Sequence, residues 1–327
     1  MPPSPPHSAA PFVLVTGGAG FIGSHLVGRL LQDGQAVVVI DDFSTGSRQN
    51  LQSYETNPRL RVIPARISGC TELADLVARA EFVFHLAATV GVDLVVKSAL
   101  HVLEASFNET QCLFRAAAQA GTPTLFTSTS EVYGKSAKPA FSENDDLLIG
   151  PPGQSRWSYA CSKLTDEFLA LAHARESGLP VTIARLFNTV GPRQTGRYGM
   201  VLPRFIEAAK AGRPLRVFGD GGQSRCFCFV LDVVEALVRL QNCPAARGEI
   251  FNIGSTEEVS ILELARQVTT TLSSSSAIEL IPYDQAYAPG FDDMRRRKPL
   301  VEKLERVVGF KPQTSLRDII RLTAEQA

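Results

Sequence analysis

The 327 residues are 44% apolar and 20% charged, the composition of an ordinary packed globular chain large enough for one big α/β domain or two smaller ones. Lys plus Arg and Asp plus Glu both number 33, so the formal charge is zero and no long basic run is available to neutralise a nucleic-acid backbone or an anionic membrane. No apolar stretch reaches the roughly 18–20 residues that cross a bilayer, and the proline-rich first ten residues lack the apolar core of a secretion signal. These properties predict a small-molecule partner, no nucleic acid, no membrane, and a flexible tail over residues 1–10 of a cytoplasmic protein. The six cysteines contain no CxxC pair and lie in core-like segments, which predicts reduced thiols and no metal site.

In chain order, the apolar run 12–15 leads into glycines and then an amphipathic stretch, 21–31, that stops at Asp33-Gly34. This reads as strand, tight turn, helix and C-cap. Further strands are predicted over 36–40, 60–63, 82–86 and 124–128, with helices over 71–79 and 102–119. Strands separated by helices imply a doubly wound parallel sheet, a Rossmann-type α/β fold. After Asn188 the pattern is broken by Pro192, Pro203, Pro214 and the Gly219–Gly222 cluster, before helical stretches at 261–271 and 315–323. The expected organisation is a nucleotide-binding domain over 11–187, joined by 229–258, and a smaller α/β substrate-binding lobe from 188–228 and 259–327.

Gly17, Gly20 and Gly23 fall between a strand and a helix, where such a pattern allows a tight turn, backbone approach to a pyrophosphate, and contact of helix with sheet. Phe21 and Ile22 lie inside this turn. Asp41, at the end of the next strand, is placed to accept hydrogen bonds from a ribose diol, which favours NAD over NADP; Arg48 leaves room for the phosphate of NADP. Tyr159 and Lys163 are four apart and share a helix face. A nearby ammonium, helped by a positive nicotinamide, is expected to lower the phenol's pKa, so that the phenolate takes a hydroxyl proton as hydride leaves the same carbon. Without the glycine turn, such a pair reads as a solvated helix face.

With these residues in place, the sequence resembles the extended short-chain dehydrogenase/reductase family of nucleotide-sugar enzymes across nearly its whole length. Further matching segments are His85-Leu-Ala-Ala88, Arg185-Leu-Phe-Asn188, Gly191-Pro-Arg193 and Gly219-Asp-Gly-Gly-Gln-Ser-Arg225. The resemblance implies NAD as cofactor, Arg225 and the Asn188 region at the diphosphate of a UDP-sugar, Thr129 at the reacting hydroxyl, and a homodimer formed by helical pairing. Simple 4-epimerases in the family usually lack an acid at the Glu131 position, and 4,6-dehydratases carry an Asp at the Ser130 position. The combination Thr129-Ser130-Glu131 is similar to UDP-glucuronate decarboxylases. The segment from Ile149 through Arg156 to Tyr159 resembles UDP-apiose/xylose synthases and the decarboxylase of the aminoarabinose lipid-modification pathway. That group places a catalytic arginine where this chain has Arg297, within a run of three arginines that would otherwise read as a solvated face. Departures from the family are Ala65-Arg66 for Gly-Asp, Ser106 for Asn, Cys226 for Asp, and Phe291 for Tyr.

The resemblance and the residues together imply an NAD-dependent UDP-glucuronate decarboxylase that gives UDP-xylose or a UDP-4-keto-pentose. Its expected catalytic residues are Thr129, Ser130, Glu131, Tyr159, Lys163 and Arg297. Gly17, Gly20, Phe21, Ile22, Gly23 and Asp41 would hold the cofactor with Tyr159 and Lys163, while Asn188, Arg225 and Arg297 would hold the substrate. A 4-epimerase using the same oxidation without loss of carbon is the nearest alternative. A catalytically silent dinucleotide-binding regulator is the alternative from another class.

Overall fold

The computed structural model describes residues 11–88, 99–194, 200–282 and 294–325. Phe291 and the expected tail over residues 1–10 lie outside these segments. The chain opens with β1 (Phe12–Thr16), α1 (Phe21–Gln32) and β2 (Ala36–Ile40), followed by β3 (Leu60–Ile63), α2 (Leu73–Arg79) and β4 (Ala80–His85). Then come α3 (Ala99–Ala120), β5 (Thr124–Thr129), α4 (Ser158–Ser177) and β6 (Val181–Leu186). These six strands and β11 (Ile250–Ile253) form one seven-stranded sheet in the order 11-6-5-4-1-2-3, with every pairing parallel.

The strands are near-continuous apolar runs because helices cover both faces of the sheet. All five residues of β1 are buried. On one face, Leu26, Val27 and Leu30 of α1 pack with Val233, Val234 and Leu237 of α6 (Val230–Gln241). On the other, Leu76 and Val77 of α2 join Leu113, Phe114 and Ala117 of α3. Strand order reverses between β1 and β4, and such a reversal opens a crevice at the strands' carboxyl ends.

The expected helix over 71–79 begins at Leu73, the strand over 82–86 runs from Ala80 to His85, and the helix over 102–119 extends from Ala99 to Ala120. A helix, α5 (Val201–Lys210), occupies a stretch whose prolines read as punctuation. Pro203 stands in its first turn, where a missing N–H costs no intrahelical bond. Helices α5, α7 (Ile261–Thr271) and α9 (Leu316–Glu325) enclose a further apolar cluster containing Leu202, Ile206, Leu264 and Ile320. No helix among the described residues is long and apolar enough to cross a membrane.

Two short ladders carry late-sequence residues toward the sheet. Strand β9 (Ser224–Cys226) pairs antiparallel with β12 (Glu258–Ser260), and the Ser224 N–H donates to the Arg295 carbonyl at 2.9 Å. On the other side, the Phe141 N–H donates to the Lys298 carbonyl and the Leu300 N–H to the Phe141 carbonyl, each at 2.8 Å.

Candidate active site

Gly17 has φ of +73°, in the left-handed region, and a Cβ there would lie 2.7 Å from the backbone nitrogen of Ala87. At Gly23 a Cβ would overlap the Gly17 carbonyl oxygen and come within 2.8 Å of the Gly18 Cα. A turn this tight brings main-chain N–H groups and the N-terminus of α1 to the β1/β4 crevice, the arrangement that receives a pyrophosphate. Gly20 is the residue before α1, and Phe21 and Ile22 are its half-buried first residues.

Asp41 follows β2. Its two carboxylate oxygens accept the Ala19 N–H and the Phe43 N–H, each at 2.8 Å. Burial outweighs these bonds and pushes its carboxyl above the ordinary value. Asp41 therefore ties the glycine turn to the end of β2 and keeps lone pairs for a ribose diol. Beside it, Arg66 Nε lies 3.3 Å from Asp42 Oδ2, and Arg48 stacks over the Phe43 ring at 4.4 Å. The residue that departs from the family's acidic position is thus a cation already paired with a neighbouring carboxylate.

Tyr159 and Lys163 both belong to α4, as their spacing predicted. Lys163 is buried; its ammonium donates to the Thr127 carbonyl at 3.1 Å and faces the Phe126 ring at 4.5 Å. Burial lowers its pKa, and the carboxylates of Asp166 and Glu167 oppose that shift. The Tyr159 phenol is raised, by burial first and then by Glu131 and Asp166. The sequence reading had Lys163 lowering it. In the chain by itself burial and two carboxylates dominate, so the compensating positive charge has to arrive with the cofactor.

Behind this pair lies a buried polar network. Ser106, at a position where the family frequently has Asn, donates to Asp166 Oδ2 at 3.3 Å, and Thr110 donates to the same oxygen at 3.4 Å. His85 bonds Thr110 through Nε2 and Thr16 through Nδ1. Burial, with Lys163 adding to it, lowers His85 to about 3, while burial raises Asp166 to about 6.

At the end of β5, Thr129 caps a short 3-10 turn, Ser130–Tyr133, by accepting the Glu131 N–H at 3.2 Å. Ser130 is 1% exposed, and its hydroxyl has no hydrogen-bond partner among the described residues. Glu131 is held between two guanidiniums: Arg297 Nη1 stands 2.5 Å from Oε1 and Arg156 Nη1 2.5 Å from Oε2. Burial pushes the Glu131 carboxyl up, but Arg297 and Arg156, with Arg225 behind them, outweigh it and hold the group at about 2. Arg297 is thus the inward member of its arginine run, while Arg295 and Arg296 are exposed.

Arg225, on β9, is 7% exposed and donates to the Ser224 carbonyl at 2.7 Å. Asn188, at the end of β6, donates to the Cys226 carbonyl at 3.2 Å. Arg156 had no assigned role in the sequence reading, although it stands three residues before Tyr159. Arg185, in a matching family segment, is a structural strut. It forks onto Glu167, with Nη2 to Oε2 at 2.7 Å, and donates to the Tyr133 hydroxyl at 3.0 Å.

A Rossmann crevice and a tyrosine–lysine pair on one helix form the arrangement of a nicotinamide-dependent oxidoreductase. The chain belongs to the NAD dependent epimerase/dehydratase family, whose model matches residues 13–254, and NAD is its cofactor. It is 43% identical over 303 residues to a UDP-N-acetyl-alpha-D-glucosaminuronate decarboxylase of Bacillus cytotoxicus, covering 92% of this chain and 93% of that one. It is 33% identical to UDP-glucuronic acid decarboxylase 6 of Arabidopsis thaliana, over 96% and 88% of the two chains. A crystal structure of UDP-glucuronic acid 4-epimerase from Bacillus cereus, with UDP-glucuronic acid and NAD, superposes with a TM-score of 0.85. It shares 30% identity over 96% of this chain and 98% of that one.

Proposed function

We propose that this protein is an NAD-dependent UDP-glucuronate decarboxylase, oxidising C4 of the sugar and releasing its C6 carboxyl as carbon dioxide. The observation that carries the reading is the pair Arg156 and Arg297, which converge at 2.5 Å each on a carboxylate beside the catalytic tyrosine's helix. Glu131 neutralises Arg156 and shares Arg297, so Arg297 is the guanidinium left for a sugar carboxylate, and a neutral hexose has no group that requires it.

The glycine turn, Asp41, Tyr159 and Lys163 would hold NAD, which when bound would supply hydride removal and return at C4. Tyr159 takes the C4 hydroxyl proton, Lys163 supports its phenolate, and Thr129 and Ser130 orient the hydroxyl. The resulting ketone is β to the carboxyl, so carbon dioxide leaves with its bonding electrons delocalised into the C4 enolate. Arg297 stabilises first the carboxylate and then the enolate oxygen, and Glu131 orients the sugar or takes part in returning a proton to C5. Arg225 and Asn188 hold the UDP diphosphate. Return of the Tyr159 proton to the C4 oxygen, once C4 is reduced again, would give UDP-xylose; earlier release would give the 4-keto-pentose.

The 43% identity to an N-acetylglucosaminuronate decarboxylase favours a second reading, in which C2 bears an acetamido group. Incubation of the NAD-loaded protein with each UDP-uronate, followed by mass analysis and carbon dioxide capture, separates the two. A product that retains all six sugar carbons with inverted C4 would establish the epimerase alternative, and absence of turnover with either substrate the silent regulator.

The assembly fitting this reading is a cytoplasmic homodimer. Leu100 and Phe107 on α3 and Phe168 on α4 are 69%, 40% and 63% exposed, an apolar surface on two adjacent helices that a second copy would cover. Residues 11–187 with 229–258 form the cofactor domain, and 188–228 with 259–327 the substrate lobe.

A further inference from the structure

The carboxylate that Arg156 and Arg297 hold in this structure belongs to the protein itself. We propose that Glu131 is an internal occupant of the arginine cradle, which the substrate's own carboxylate displaces from Arg297, so that exchange of one anion for another makes the site selective for uronates. This rests on the decarboxylase reading above.

The geometry distinguishes the two arginines. Arg156 belongs to the Ser155–Trp157 turn that leads directly into α4, lies against the Trp157 ring at 5.3 Å, and is 7% exposed. Arg297 comes from a segment with neither helix nor strand of its own, fastened by backbone bonds at Arg295 and Lys298 on either side. Glu131 is anchored at its base by the Thr129 cap. Arg297 is therefore the partner that can turn away, while Arg156 stays with Glu131. Next to the pair, the buried Ser130 hydroxyl has no partner among the described residues and is available to an incoming polar group.

The exchange moves no covalent bond. A uronate brings a carboxylate that can replace Glu131 on Arg297, so the number of buried ion pairs is conserved. A hexose brings only a hydroxymethyl group; to reach Arg297 it would strand a buried charge, and that penalty rejects it. Once Arg297 has left, Glu131 keeps Arg156, with Arg225 and the Tyr159 phenol as its other neighbours. Its charge is then less compensated, so it takes up protons more readily.

The test is titration calorimetry of the NAD-loaded protein with UDP-glucuronate and with UDP-glucose, for wild type and Glu131→Gln. Removing the internal anion is expected to tighten UDP-glucuronate binding at least about tenfold, the scale of one charge-assisted hydrogen bond, and to change UDP-glucose binding less than about threefold. Equal or weaker UDP-glucuronate binding by a folded variant overturns the exchange. Should the variant not fold, Glu131→Asp, which shortens the internal carboxylate's reach to Arg297, decides: tighter UDP-glucuronate binding with little change for UDP-glucose supports the exchange, and equal or weaker UDP-glucuronate binding overturns it. Loss of carbon dioxide without tightening defeats this inference alone. Absence of any preference for the uronate, with no carbon dioxide, defeats the underlying reading.

Discussion

Arg296 Nε lies 2.7 Å from Glu258 Oε1, so two successive arginines answer to two different carboxylates, Arg296 outward to β12 and Arg297 inward to Glu131. Glu258 also accepts the Ser224 hydroxyl at 2.5 Å. Because Arg296 is half exposed, the pair contributes about 0–1 kcal/mol to stability. Its larger effect is on register. Glu258→Gln is expected to leave thermal stability and NAD affinity nearly unchanged while lowering kcat/KM for UDP-glucuronate roughly 5- to 20-fold, the sensitivity of a site to a small misplacement of a charged group. Unaltered steady-state kinetics would remove Glu258 from this positioning role.

Tyr159→Phe keeps the ring in α4 and removes the ionisable oxygen. The variant should fold, bind NAD and bind UDP-glucuronate, yet lose at least the roughly 10² to 10⁴ fold that a general base contributes. Absorbance of reduced cofactor in single turnovers reads the step directly, and near-normal turnover would assign the base elsewhere.

For Glu131 the folded-state value of about 2 lies below its ordinary 4.5. Its ion pairs therefore add stability that is fully present above pH 4.5 and is lost as pH falls through about 2. At about 1.4 kcal/mol per unit the contribution is on the order of 3–4 kcal/mol. Asp166 has the opposite sign. With its value raised to about 6 from 3.8, its contribution is present below pH 3.8 and is lost as pH rises through 6. Chemical denaturation of wild type and Glu131→Gln should accordingly differ most at neutral pH and converge toward pH 2; a gap that does not depend on pH would contradict the ion-pair account.

The cofactor turn makes a steric prediction. Ala at position 17 would have to adopt a φ of +73° with its Cβ 2.7 Å from the Ala87 nitrogen. Gly17→Ala should cost about 1–3 kcal/mol and weaken NAD retention more than that loss alone explains. Cofactor content after purification, together with a melting curve, measures both effects. Asp41→Ala, which releases the Ala19 and Phe43 N–H groups, should weaken NAD binding as well.

The sheet was legible because its strands are unbroken apolar runs set off by glycine and polar turns, and a buried parallel strand leaves that trace. Tyr159 and Lys163 were legible from helical spacing read together with the glycine turn. Arg156 was not: it sits in a polar stretch, Gly-Gln-Ser-Arg-Trp, and its partner Glu131 is 25 residues earlier in a different element. The choice of Arg297 over its two neighbours came from family resemblance, and its physical basis is non-local, in the backbone bonds from Ser224 and Phe141 that fix the segment's register. The pairing of Arg185 with Glu167 is hidden for the same reason. Both residues are polar by type, and only the packed structure shows them neutralising each other in the core, each 3% exposed in its side chain.

The segment that carries Arg297 is spliced onto the rest of the molecule by hydrogen bonds at its two edges, far in sequence from the glycine turn and from Tyr159. Arg297 and the pair Tyr159 and Lys163 are therefore encoded in separate stretches of the gene, and only packing brings them to one place. A substitution in the late strip can shift Arg297 relative to Glu131 without touching a residue of the seven-stranded sheet.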